Sequence, residues 1–271
     1  MSLYHRNKAI YPNSIALNVY DLTKMVHFYK SVLGFRLIEK TETYASFSTN
    51  GKAIILELYK VDTLKNNIAL YHVAFLLDSK QALANLFKHI LTSGYSITGG
   101  ADHTVSEALY LEDPEGNGIE LYIDTTPDAW ETIKEHPERL QNLPFPYESY
   151  LMLAKPFLGI DPNTIIGHIH LHVNDLKASV SFLKAYLGYE VIVNLPTAYF
   201  MSSQRYHHHI AVNTWRRPTT FKPSLLGLRY IGLHVTDKPT KEALISRLSP
   251  IVTKKDSKLY FKNPDGYPFV L

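Results

Sequence analysis

From Ser14 the chain alternates apolar and polar positions through Val19, the pattern of a half-buried strand. At Asp21 the period changes. Met25, Phe28, Tyr29 and Leu33 fall on one side of a helix that stops at Gly34, and Asp21 is placed to cap it. Three strand-like runs follow, FRLIEK, TYASFST and KAIILELY, the last two joined through the hairpin signal Asn50-Gly51. The predicted order over residues 14–59 is β-α-β-β-β. Residues 69–124 repeat it: LYHVAFLL, a helix KQALANLFKHILTSG closing on Gly94, then SIT, EALYLED and GIELYID. A third copy begins at Ile166 with GHIHLHVNDL, the helix KASVSFLKAYLG, and YEVIV, AYFMSS and HHHIAVNTW. The fourth reads YIGLHV, KEALISRLS, IVTK, KLYFKNP and YPFVL.

The copies are visible in the letters themselves. NVYDL and LGF of the first correspond to HVNDL and LGY of the third, with Asp21 at Asp175 and Gly34 at Gly188. LYLEDPEG of the second corresponds to LYFKNPDG of the fourth. Such self-similarity outranks any single-segment assignment. Residues 1–125 and 164–271 are therefore expected to be two halves of two units each. Residues 126–163 form an ordered linker with a short helix near ESYLMLAKPFL.

One stretch, His103 to Glu120 (HTVSEALYLEDPEGNGIE), concentrates unusual chemistry. Pro114 with Gly116 and Gly118 makes a turn, and alternation in the strand after it puts Glu120 and Tyr122 on one face and Ile119, Leu121 and Ile123 on the other. A carboxylate in a strand this apolar calls for a partner cation if it is buried, or for an edge position in water if it is not.

Composition narrows the partners. A net charge of +3 over 271 residues, with the signs mixed, implies no nucleic-acid or membrane partner. The start lacks an apolar signal segment and the chain has no cysteine, which together fit a cytoplasmic protein. Any metal must be held by histidine and carboxylate, and there are 13 histidines to choose among.

Four βαβββ units in this order resemble the vicinal-oxygen-chelate superfamily, which includes glyoxalase I, bleomycin-resistance proteins and type I extradiol dioxygenases. The resemblance implies an α+β fold of four βαβββ units forming two curved half-barrel sheets. His103, then Leu109-Tyr110, Asp113-Pro114-Glu115-Gly116 and Glu120 look like the signature of extradiol ring-cleaving dioxygenases, with Ala101 as a departure. Together with GHIHLHVNDL and YHHHIAVN, that run is most similar to the two-domain bacterial enzymes that cleave catechol at the 2,3 bond. Carried over, Glu120 is a metal ligand and Tyr110 and His103 line the substrate pocket. His72 and His168 hold the family's histidine positions in the second and third units.

That set matches the two-imidazole, one-carboxylate face of a non-haem Fe(II) site, with Mn(II) as the alternative. His170 and His172 share the face of His168 by alternation and remain without a role. The first unit carries Ser14 where the third has His168, and the fourth carries Tyr230 and Val270 where the second has His72 and Glu120. Pairing the second unit with the third assembles one complete set and leaves the first and fourth without metal. A homo-oligomer with exchanged units would satisfy the same count. Within His207-His208-His209, strand alternation turns His208 away from its neighbours, and the resemblance makes His208 the acid–base residue.

The implied reaction is extradiol cleavage of a catechol or related dihydroxyaromatic by O₂. A glyoxalase-type metal-dependent lyase or isomerase, and a non-catalytic aromatic or drug binder of the same fold, are the alternatives.

Overall fold

The computed structural model describes His5 and residues 8–271. The first repeat runs β1 (Ile10–Val19), α1 (Leu22–His27), β2 (Arg36–Lys40), β3 (Tyr44–Ser48) and β4 (Leu56–Lys60). The second is β5 (Leu70–Leu76), α2 (Lys80–Thr92), β6 (Gly99–Asp102), β7 (Ser106–Glu112) and β8 (Gly118–Asp124). Between repeats lie α3 (Pro127–Glu135), β9 (Leu143–Pro144) and α4 (Tyr147–Leu153). The third is β10 (Ile165–His172), α5 (Leu176–Phe182), β11 (Glu190–Leu195), β12 (Ala198–Ser202) and β13 (Ile210–Asn213). The fourth is β14 (Gly227–Val235), α6 (Lys238–Leu248), β15 (Thr253–Lys255), β16 (Lys258–Lys262) and β17 (Pro268–Val270).

Each repeat starts its helix in the same way. Asp21, Ser79, Asp175 and Asp237 accept the backbone N–H three residues on, which satisfies a donor that the first turn leaves unpaired. In the first and third repeats the helix widens into a five-residue π segment, Phe28–Val32 and Leu183–Leu187, before the glycine. At Gly34 a Cβ would stand 2.5 Å from the Phe157 ring, so that close approach and a φ of +74° both require glycine.

The strands form two sheets, ordered β15-β16-β17-β14-β1-β4-β3-β2 and β11-β12-β13-β10-β5-β8-β7-β6-β9. The first and fourth repeats thus share an eight-stranded sheet, and the second and third a nine-stranded one. In the second, third and fourth repeats the first strand pairs parallel with the last (β5 with β8, β10 with β13, β14 with β17). No helix among the described residues is long and apolar enough to cross a membrane.

By contact the chain divides into two compact units, Met1–Tyr20 with Val61–Tyr71 and Gly167–Leu271, and Asp21–Lys60 with His72–Ile166. The first is filled by Ile15, Leu17, Tyr189, Val212, Ile231 and Phe269, all buried, and Tyr189 donates its hydroxyl to the Ile10 carbonyl. The second is filled by Phe28, Tyr29, Phe35, Phe47, Phe75 and Leu86.

Elements in the second repeat and the linker differ from the sequence reading. The strand expected at SIT begins instead at Gly99, because β9 pairs with it at Ala101 and Asp102 while Phe145 and Tyr147 crowd Gly100 too closely for a side chain. The linker holds a second helix, α3, started by Pro127 at its first turn and anchored where Trp130 Nε1 donates to the Val105 carbonyl.

Candidate metal centre

The second repeat contributes a carboxylate, two imidazoles and a phenol. In the parallel pair β5–β8, Ala74 lies opposite Glu120, and in β7–β8 Tyr110 lies opposite Glu120. Alternation sends His72, Glu120 and Tyr110 to one face, where Ala74, Ala108 and Tyr122 form a small apolar floor packed by Tyr110. Glu120 is 3% exposed, so the edge-in-water reading of its strand does not hold. Its Oε2 lies 3.1 Å from His72 Nε2. Beyond this pair His103, just after β6, places Nε2 2.6 Å from the Tyr110 hydroxyl, one donating to the other. The two residues that the motif spacing singled out therefore meet.

The turn that joins β7 to β8 is locked from inside. Asp113 accepts from the backbone N–H groups of Glu115 and Asn117, from Asn117 Nδ2 and from the Tyr29 hydroxyl. Burial raises its carboxyl to about 6 even though these hydrogen bonds pull the other way. The Tyr29 hydroxyl is pushed well up, first by its own burial and then by Asp113.

The third repeat contributes histidines. His168, His170 and His172 are all buried on β10. Asn213, which sequence reasoning passed over, organises two of them. The Trp215 backbone N–H can only donate, so the Asn213 atom it meets is Oδ1, which also accepts from His172 Nδ1 at 2.7 Å. Asn213 Nδ2 then donates to His170 Nε2 at 2.9 Å, and both tautomers follow. Burial lowers the His172 pKa.

The histidine triplet lies outside the strand expected for it. His207, His208 and His209 sit in the turn between β12 and β13, after positive φ values at Gln204 and Arg205. Strand alternation consequently does not apply, and His208 does not face away from both neighbours. His207 and His208 stay together, Nδ1 to Nδ1 at 2.8 Å, and the His208 ring lies 4.0 Å from the His168 ring. His209 departs into a pocket of Tyr11, Tyr189, Tyr206 and His5. There its Nδ1 accepts from the Ser203 N–H, and burial holds its pKa well below the usual range, with His5, His207 and His168 adding to the effect.

Within one unit, His168, His207 and His208 are placed so that they could hold a divalent ion. One ligand atom from each of these three lies within 4.8 Å of the others. The counterpart positions on the eight-stranded sheet are differently filled. Ser14 lies against Gly232, where a Cβ would stand 2.0 Å from its hydroxyl oxygen, and Val270 is buried opposite the same glycine. Asn18, counterpart of His172, donates to the carbonyls of Pro223 and Leu225 and accepts from Arg229.

Comparisons with known proteins agree with this architecture. The family model of the Glyoxalase/Bleomycin resistance protein/Dioxygenase superfamily matches residues 11–121. Catechol-2,3-dioxygenase of Bacillus subtilis (strain 168) is 36% identical over 208 residues, 73% of each chain. Two solved structures share the fold. Glyoxalase I from Zea mays superposes with a TM-score of 0.59 at 17% identity, covering 97% of this chain and 92% of its own. A Bacillus subtilis subsp. subtilis str. 168 protein provisionally assigned as a dioxygenase gives 0.64 at 15% identity, with 97% and 85% covered. With four βαβββ repeats, two mixed sheets and a relative of this closeness, the chain belongs to the glyoxalase/bleomycin resistance/dioxygenase superfamily.

Proposed function

We propose that the protein is an extradiol ring-cleaving dioxygenase that holds iron(II) through His72, Glu120 and His168 and acts on a catechol-class diol with O₂. The observation that carries this reading is the buried pair of His72 Nε2 and Glu120 Oε2, 3.1 Å apart on the central strands of the second repeat. Two imidazoles and one carboxylate fit the ion, because such a set suits a divalent metal that keeps open positions for other ligands. The similarity to a catechol-2,3-dioxygenase supports the same choice over a glyoxalase-type lyase or isomerase and over a non-catalytic binder.

Bound there, iron(II) supplies the redox chemistry and the positions at which diol and dioxygen meet. The side chains do the rest. His208, half-buried beside His168, takes a proton from the diol and returns it as the ring opens, a task suited to an imidazole. Tyr110 offers its hydroxyl to a substrate oxygen, and His103, in contact with that hydroxyl, orients it.

Protein prepared without oxygen separates the alternatives. With iron(II) and catechol it is expected to consume O₂ and release a coloured ring-opened product. Activity only with zinc or nickel on a thiol substrate, or tight drug binding with no metal, would overturn the reading.

A further inference from the structure

Besides the place proposed for it with His72 and Glu120, His168 stands with His207 and His208 in a group of imidazoles alone, one ligand atom from each lying within 4.8 Å of the others. His168 and His207 are buried and His208 half-buried, so the group is shielded from bulk water without being closed. Its geometry suits an ion. Imidazole nitrogens about 2.0–2.1 Å from a metal stand roughly 2.8–3.4 Å from one another, depending on coordination geometry. The two Nδ1 atoms of His207 and His208 are 2.8 Å apart. As neutral rings, one must give its proton to the other, and an ion shared by both takes the place of that proton.

The turn that carries the pair is held at both ends. Ser202 Oγ donates to the Tyr206 carbonyl at 2.6 Å, and the His209 N–H donates to the Met201 carbonyl at 2.8 Å. His209 is further fixed where its Nδ1 accepts the Ser203 N–H. Two adjacent imidazoles are therefore presented to His168 by a backbone that need not rearrange to bind.

The chemistry of the donors chooses the ion. A set without carboxylate suits ions that favour nitrogen, copper(II), nickel(II) or zinc, over iron(II) or manganese(II), in line with the order of divalent affinities. We infer that His168, His207 and His208 form a second site, specific for such an imidazole-seeking ion and exclusive of the first, because both claim His168. An ion there removes a ligand from the iron set and occupies His208, so it acts as an inhibitor of the proposed enzyme. This last consequence rests on the dioxygenase reading, whereas the second site itself does not.

The test is zinc binding to metal-free protein, measured by competition with a coloured chelator, beside iron(II) stoichiometry. Glu120→Gln is expected to lose iron yet bind zinc as the unmodified chain does. His207→Gln is expected to keep iron and lose zinc affinity by about tenfold or more, as loss of a ligand must exceed the loss of a supporting contact. His168→Gln loses both. His208→Gln repeats the zinc measurement should His207→Gln misfold, and copper(II) spin resonance of the unmodified chain reports nitrogen-only coupling. Zinc affinity that falls in Glu120→Gln, survives the loss of His207 and His208, or is absent from the unmodified chain overturns the second site. Failure of the dioxygenase reading shows elsewhere, in an unmodified chain that takes up no iron.

Discussion

The two sheets are built from the same repeat and differ in what their central strands carry. On the nine-stranded sheet these strands bear His72, Glu120 and His168, whereas the corresponding strands of the eight-stranded sheet bear Tyr230, Val270 and Ser14. The register confirms the correspondence. Glu120 stands opposite Ala74 as Val270 stands opposite Gly232, two residues past His72 and Tyr230 respectively. The turns before these strands also match. Asp113 and Asn263 each accept the N–H four residues on, and each gives its carbonyl to a glycine N–H. Fold and chemistry are thus separable here. The repeat needs the caps, the turn and the apolar faces, and the residues proposed as ligands stand on one of the two sheets only.

The comparison breaks most visibly at Glu120. Glu120→Ala is expected to remove metal and turnover together while the circular dichroism spectrum is unchanged, because the eight-stranded sheet folds with valine at that position. A variant that unfolds would make Glu120 chiefly structural.

Next in size is His208. His208→Gln is expected to retain iron but slow oxygen uptake by about 10² to 10⁴-fold, the usual cost of a lost general acid–base. His209→Phe tests the specificity of that effect, since His209 lies in the Tyr11–Tyr189–Tyr206 pocket and should affect stability more than turnover. Equal loss of turnover in both would remove the special role of His208.

Writing the ligand into the other sheet sharpens the contrast from the opposite side. Val270→Glu puts a carboxylate on a sheet that has Tyr230 and Ser14 at the positions of His72 and His168, and is expected to cost about 2–4 kcal/mol of stability without creating a metal site. Denaturant midpoints with and without iron would measure it, and an iron-dependent gain in stability would contradict the account.

The smallest effect concerns pH. The Asp113 carboxyl is raised to about 6 in the fold from 3.8, so the folded chain binds its proton more tightly than the unfolded one. Its contribution to stability is therefore fully present below about 4 and is lost as pH rises through about 6, by an amount of order 2–3 kcal/mol. Asp113→Asn, which copies Asn263, is expected to flatten that part of the stability profile between pH 4 and 6. An unchanged slope would show that the four donors hold the carboxyl ionised.

Much of this was legible in the letters because it is local. The caps at Asp21 and Asp175, the glycines at Gly34 and Gly188 and the alternation around Glu120 each follow from neighbours a few residues away. What escaped depends on distant partners. The start of β6 is set by β9, more than 40 residues on, and the turn at His207–His209 by hydrogen bonds to Ser202 and Ser203. Asn213 reads as an ordinary strand residue until β10 lies beside it with His170 and His172. The histidines could be picked out by type, but the turn geometry that makes His207 a neighbour of His168 could not.

The most direct test of a single metal centre is anomalous diffraction at the iron edge from crystals of protein loaded with iron(II) in the absence of oxygen. The account expects one peak per chain, within bonding distance of His72, Glu120 and His168, and none on the eight-stranded sheet. A peak beside Ser14, Tyr230 or Val270, or no peak in protein that consumes O₂ with catechol, would contradict it.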